Sequence, residues 1–287
     1  MLKTVLGLHR ATRADIGELV TYQALPVSTL APERVEPFIF LNHHGPQVYP
    51  PRNGGLPFGP HPHRGFETVT FILAGDLVHK DSGGYQSLIR AGGVQWMTAG
   101  RGLIHAEVSS EEFKSAGGPV EMLQLWVNLP ARLKMTEPRY AGLQREEIPT
   151  AGTDGGRVEL SVVSGSWQGT RGPFETLTDV SLFVARFAPG GKLGVEVEAG
   201  RSVLCYVVSG TLRVNGRAAT ARNAVELSDE GEGVEVEAES EGVMLFGHAA
   251  RNREPIASYG PFVMNTREEL EQAVRDYRAG RFGVWKD

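Results

Sequence analysis

V-T-F-I-L-A-G-D-L at residues 69–77 and L-C-Y-V-V-S-G-T-L at 204–212 carry one pattern: an apolar run, a small residue, a glycine, and a leucine two places on. Gly75 matches Gly210 at an offset of 135 residues. Short apolar runs closed by turn residues read as strands. A repeat of domain size then means two copies of one β-barrel unit. Further strand-like runs lie at 38–41, 66–73, 93–97, 122–127, 158–163, 181–187, 203–208 and 243–246. Asn215-Gly216 between L-R-V and R-A-A is a two-residue hairpin candidate. The stretch 137–156, with Pro138, Pro149, Gly152, Gly155 and Gly156, reads as the crossover between the copies. Near the C-terminus Thr266-Arg267-Glu268-Glu269 reads as a capping box. Leu270, Val274 and Tyr277 follow at helical spacing, and Gly280 ends the run. The expectation is an all-β chain of two barrels packed together, residues 1–135 and 136–287, the second including a short C-terminal α-helix.

The chain has 287 residues, 41% hydrophobic, enough for two cores. A net charge of -5 with pI near 5.9 gives no footprint for direct nucleic-acid contact. No apolar run approaches the roughly 18 residues of a membrane span, and the first fifteen residues make a poor signal peptide. A single cysteine, Cys205, rules out an internal disulfide and thiolate metal clusters. These features point to a soluble, cytoplasmic protein. The 36 glycines and 17 prolines are dispersed between apolar runs, which is β-protein punctuation rather than disorder.

Two pairs of side chains carry the chemistry. His61 and His63 lie in H-P-H-R-G-F-E-T-V-T-F, and His105 and Glu107 in G-R-G-L-I-H-A-E-V. Residues i and i+2 of a strand share a face. Two such strands side by side would aim three imidazoles and one carboxylate at one point. That donor set suits a first-row divalent metal: Fe, Mn, Co, Ni, Cu or Zn. An octahedral ion with four protein ligands keeps two positions for substrate or dioxygen. Glu67, four residues after His63, is a rival carboxylate, as a ligand or as a partner that orients an imidazole.

Other histidines read as bystanders. His43 and His44 are adjacent and face apart on a strand, with at most a loop role near the pocket. His79 follows a turn and reads as solvent-facing; His9 and His248 read as structural. The alternating E-V-E-A-E-S-E at 235–241 reads as a solvated strand face rather than a calcium site. Cys205, in the apolar L-C-Y-V-V, reads as inert core. With the offset of 135, His61 and His63 map onto Glu196 and Glu198, so the second copy lacks the imidazoles.

At these residues the chain resembles the cupin superfamily and, within it, the pirin family. Gly55, His61, His63, Glu67 and Gly75 match the first cupin motif. In the second motif Ala99-Gly100 precedes His105 with extra residues between, a departure shared with pirins. The pirin likeness lies in H-P-H-R-G-F-E-T-V-T, Q-W-M-T-A-G-R-G-L-I-H-A-E, L-Q-L-W-V-N-L-P and G-P-F-V-M-N-T, and runs nearly end to end. The resemblance implies two cupin (jelly-roll-like) barrels, with Fe(II) or another divalent metal in the N-terminal one. The family's ligands fall on His61, His63, His105 and Glu107, which favours Glu107 over Glu67. It also implies a C-terminal barrel without metal. F-L-N-H-H-G-P at 40–46 departs from the D-H-F-G-P of many relatives, at the pocket mouth.

Two functions follow from the resemblance. Some pirins resemble quercetin 2,3-dioxygenases, which open a flavonol ring with dioxygen and release carbon monoxide. Here Glu107 would take the substrate's 3-hydroxyl proton, and Phe58, Phe66 and Trp96 are candidate walls for a small aromatic substrate. Other pirins are similar to redox-sensing proteins that bind a transcription factor or metabolic enzyme without turnover. That role requires a protein partner.

Overall fold

The structure, a computed structural model, describes residues 1–286. The strands around the histidine pairs are β1 (Phe38–Tyr49), β2 (Phe58–His63), β3 (Phe66–Ala74), β4 (Asp76–Asp81), β5 (Gln86–Arg90), β6 (Val94–Thr98), β7 (Leu103–Val108), β8 (Gly118–Asn128) and β9 (Arg139–Leu143). One sheet has the order β2-β7-β4-β5, and in the other β9-β6-β3-β8-β1 run side by side. The later strands are β10 (Val158–Ser164), β11 (Val180–Phe187), β12 (Lys192–Glu196), β13 (Ser202–Ser209), β14 (Thr211–Val214), β15 (Arg217–Thr220), β16 (Asn223–Leu227), β17 (Gly233–Ala238) and β18 (Gly242–Ala249). Their sheets have the orders β12-β17-β14-β15 and, within a longer sheet, β16-β13-β18-β11. Each of β11 to β18 repeats the strand ten places earlier, so the sequence repeat is a repeat of topology. Gly75 and Gly210 close the matching turns with φ of 85° and 79°, where a side chain is disfavoured. A Cβ on Gly210 would also meet the Glu241 carbonyl oxygen at 2.2 Å.

The hairpin at Asn215-Gly216 forms as its residues dictate. Both have positive φ, 41° and 82°, the primed-turn geometry that matches strand twist. The capping box also forms at the start of α1 (Arg267–Arg278). Thr266 Oγ1 accepts from the Glu269 N–H at 3.2 Å, and Glu269 Oε2 accepts from the Thr266 N–H at 3.0 Å.

The expected cut after residue 135 is corrected. One unit comprises Met1–Thr12, Tyr22–Ile39 and Glu146–Arg251, and the other Arg13–Thr21, Phe40–Arg145 and Asn252–Asp287. The supposed crossover contains β9, which pairs with β6 through Tyr140↔Met97 and Ala141↔Trp96. In the other unit the place beside β16 is taken by the N-terminal strand Val5–Arg10, with Leu8 opposite Val225. Helix α1 belongs with the histidine pairs rather than with the second repeat. Leu270, Ala273 and Phe282 pack with Phe262, Met264 and Ile104.

The mapping of His61 and His63 onto Glu196 and Glu198 is corrected too. Glu196 and Glu198 are exposed, while Val195, Val197, Val234 and Val236 are at most 4% exposed within an apolar cluster. A one-residue slip of a strand exchanges its faces. Valines therefore fill the second barrel on β12 and β17, the counterparts of β2 and β7. Each such burial contributes roughly 1.5–3 kcal/mol, and no imidazole replaces them. Glu235 and Glu237 face outward on β17, as the alternation required.

Candidate metal centre

Strand pairing assembles the centre. On β2 and β7 His61 stands opposite His105 and His63 opposite Leu103, with a bulge between His105 and Glu107. The ring centroids are 4.4 Å apart for His61 and His105, 4.9 Å for His63 and His105, and 4.8 Å for His61 and His63. One ligand atom from each of the three imidazoles lies within 4.8 Å of the other two. His63 and His105 are 3% and 0% exposed, and His61 is half-buried.

The rings are set up as donors to a cation. His61 Nδ1 lies 2.7 Å from the Gly59 carbonyl and His63 Nδ1 3.3 Å from the Pro261 carbonyl. A carbonyl only accepts, so each Nδ1 carries the hydrogen and each Nε2 keeps its lone pair. Burial, then the neighbouring His61, pushes His63 down to about 3, against the Pro261 carbonyl. Burial holds His105 well below the usual histidine range, helped by His63, His61 and His79. Both are therefore neutral near pH 7, the form that ligates metal. Neither nitrogen of His105 has a hydrogen-bond partner among the described residues, although the ring is fully buried. An imidazole left so is costly unless something binds it. This orphaned donor, with two lone pairs converging beside it, fits a divalent transition metal.

Glu107 lies beside the three imidazoles but is not one of the group whose donor atoms converge. It is 1% exposed. Its Oε1 accepts from Thr70 Oγ1 at 3.0 Å and from the Gln95 amide, and its Oε2 accepts from Gln124 Nε2 at 2.5 Å. Gln95 in turn accepts from the Tyr140 hydroxyl at 3.1 Å. A carboxylate oxygen has two lone-pair sites, so Oε2 retains one for a further partner.

Glu67, the rival carboxylate, is on the other face of its strand. Arg64-Gly65 interrupts the run between β2 and β3, so the i+4 spacing does not hold across it. Glu67 accepts from Thr98 Oγ1 at 2.6 Å, whereas Thr70, at odd spacing from it, reaches Glu107. Trp96 shares the face of Glu67, standing opposite Val69, so it is not a wall of the centre. Phe66 is one, 5.0 Å from His63. Trp126, missed in the sequence reading, stacks between Phe66 at 4.3 Å and Phe40 at 4.4 Å, with its edge toward His63. Phe58 lies against His44 at 5.1 Å.

The bystander histidines separate. His43 and His44 do face apart, but on β1 rather than in a loop: His43 bonds Glu121 at 2.9 Å and His44 bonds Thr21 at 2.9 Å. His9 is structural, held between Thr29 at 2.8 Å and Glu226 at 3.0 Å. His248 accepts from Arg201 at 2.9 Å and lines a cavity of about 700 Å³ with Trp167, Glu196, Glu198 and Glu235, a lining that includes none of the residues of the centre. His79 is not solvent-facing. It is 0% exposed on β4, bonds Asp81 at 3.0 Å, and stacks on Tyr140 at 3.9 Å. Cys205 is 1% exposed, and burial pushes its thiol up to about 12.

Two barrels of one topology, one with a histidine-lined centre, define a bicupin protein. The chain belongs to the pirin family. It matches the Pirin family over residues 20–127 and the Pirin C-terminal cupin domain over residues 182–283. A Pseudomonas aeruginosa protein provisionally named quercetin 2,3-dioxygenase is 37% identical over 282 residues, 98% of this chain and 99% of that protein. Human pirin is 38% identical over 248 residues, 82% of each chain. The crystal structure of quercetin 2,3-dioxygenase from Acinetobacter baumannii superposes with a TM-score of 0.92 at 34% identity, covering 99% of both chains. Among the described residues no helix is long and apolar enough to cross a membrane.

Proposed function

We propose that the chain is a metal-dependent dioxygenase that opens a flavonol-type ring with dioxygen. The observation that carries the reading is the convergence of His61, His63 and His105, in a chain similar over its whole length to a quercetin 2,3-dioxygenase. His61, His63 and His105 would hold one divalent metal, with Glu107 the fourth ligand through the open site on Oε2. The pirin resemblance points to Fe(II), and Mn, Co, Ni, Cu and Zn suit the same imidazole and carboxylate donors. The bound ion would supply Lewis acidity that favours the substrate's 3-hydroxyl as its anion.

The remaining work falls to side chains of this chain. Glu107, the catalytic residue of this proposal, takes the 3-hydroxyl proton at the one open site on Oε2 once it swings off the ion, or as the ion's neighbour rather than its ligand, and Thr70, Gln95 and Gln124 fix where its oxygens stand. Phe66 and Trp126 offer apolar surface beside His63 for an aromatic substrate. Incubation with quercetin in the presence of dioxygen tests this. Loss of quercetin absorbance with release of carbon monoxide supports the reading; an inert metal-loaded protein contradicts it.

A second reading has its own observation. His63 and His105 are almost fully buried, so a large substrate needs the centre to open. A redox-responsive protein that binds a transcription factor or metabolic enzyme has no such need. Capture of a partner by metal-loaded but not metal-free protein would favour it.

A further inference from the structure

His79 and Asp81 form a third i, i+2 pair beside the two that define the centre. Across β7 and β4, Glu107 stands directly opposite His79 and His105 opposite Asp81. Leu77, His79 and Asp81 are the buried positions of β4. The inner face of β2, β7 and β4 thus carries three polar pairs on three neighbouring strands.

The hydrogen bonds of this pair fix the tautomer of a neutral His79 ring. Asp81 Oδ2 lies 3.0 Å from His79 Nε2, and Asp81 Oδ1 accepts from the backbone N–H groups of Gly83 at 2.8 Å and Tyr85 at 3.1 Å. A carboxylate pinned in this way can only accept, so Nε2 carries the hydrogen. In the neutral ring Nδ1 is left as a lone-pair acceptor. It is buried and has no donor among the described residues. Tyr140, stacked at 3.9 Å with an interplanar angle of 12°, keeps the ring from turning.

The neighbouring ring has the opposite deficit. His105 lies 5.5 Å from His79, centroid to centroid, and neither of its nitrogens is partnered. A neutral imidazole that gives one nitrogen to a metal keeps a hydrogen on the other, and that N–H needs an acceptor. An acceptor without a donor and a donor without an acceptor therefore sit on adjacent buried rings. We infer that His79, held by Asp81, is the acceptor for the ring N–H of metal-bound His105, directly or through one water. His79 is a positioning residue of the centre, acting through His105. The inference rests on the reading of His61, His63 and His105 as metal ligands.

Cobalt(II) titration of the full chain, with proton NMR of the exchangeable imidazole N–H signals shifted by the ion, tests it. His79→Phe keeps a ring against Tyr140 and removes the acceptor; His79→Asn restores an acceptor near the place of Nδ1. The expected result is cobalt affinity weakened about 10- to 100-fold in His79→Phe, with one N–H signal exchanging faster with solvent. His79→Asn should recover most of both. If wild type binds one cobalt and both variants match it in affinity and N–H exchange, the His79 assignment is wrong and the metal centre stands. If wild type binds no cobalt, the metal centre itself is wrong and the His79 role falls with it. A variant that merely loosens the fold would lower unfolding stability without the selective loss of one N–H signal, which also overturns the assignment.

Discussion

Arg64 and Asp276, 212 residues apart in the chain, form an ion pair of 2.8 Å whose side chains are 5% and 9% exposed. Arg64 directly follows the candidate ligand His63. Its Nε donates to the Arg101 carbonyl at 2.6 Å, and the ring of Phe282 lies 4.6 Å from its guanidinium. The backbone of Arg64 also accepts from the Val263 N–H at 3.0 Å. Gly65 passes so close beneath this segment that a Cβ there would meet the Val263 oxygen at 1.9 Å. The segment from Val263 to Phe282 is thereby fastened to the strand end that presents His63.

Removing one member of such a buried pair leaves the other charge without compensation, at a cost of roughly 3–5 kcal/mol. Asp276→Ala is therefore expected to lower the unfolding free energy by about that amount, read from denaturant titration. Metal affinity should fall with it, because His63 Nδ1 takes its orientation from Pro261 in the same segment. A variant as stable as wild type would show that the pair is not what fastens the helix.

Glu67 predicts a pH dependence. Burial pushes its carboxyl from 4.5 up to about 7, opposed by hydrogen bonds from Thr98 and Trp96. The folded-state value exceeds the unfolded one, so the unfolded chain loses this proton first. Stability from this group is highest below about pH 4.5, falls as pH rises toward 7, and is level above that. The difference corresponds to about 3 kcal/mol. Glu67→Gln should flatten this part of the stability profile between pH 5 and 7. An unchanged slope in that window would assign the dependence to other groups.

The second barrel predicts a null result. Glu196 and Glu198 face outward while valines fill the interior. Glu196→Ala and Glu198→Ala should each alter stability by no more than about 0.5 kcal/mol and leave metal content unchanged. A fall in bound metal by elemental analysis would mean that the second barrel holds an ion after all.

Cys205 should resist chemistry in the native state. Its thiol is buried and its ionisation suppressed, and the thiolate is the reactive form. A thiol-specific chromogenic reagent is expected to label it only after denaturant is added. Prompt labelling of the folded protein would contradict the placement of β13 in the core.

What could be read from sequence depended on how local the signal was. The H-x-H and H-x-E pairs were legible because strand alternation alone puts each pair on one face. The H-x-D pair of His79 and Asp81 carried the same spacing. Its place just past the turn at Gly75 makes His79 read as solvent-facing in the sequence. In the structure the chain turns at Gly75 and again at Ser82-Gly83-Gly84, and the six residues between are a strand. Glu67 failed for a related reason: a two-residue break at Arg64-Gly65 changes which face follows. The domain cut was out of reach, because β9 and Val5–Arg10 find their places through pairing across long stretches of chain. The valine filling of the second barrel was visible as V-E-V and V-E-V-E, but its register needed the sheet.

The central claim is that His61, His63 and His105 hold a metal on which turnover depends. Elemental analysis of purified wild type and His61→Ala, alongside quercetin consumption under dioxygen, tests it most directly. The account predicts about one transition metal per wild-type chain with quercetin consumed, and the loss of both in the variant. Metal retained in His61→Ala at the wild-type level, or turnover that persists without it, would contradict the account.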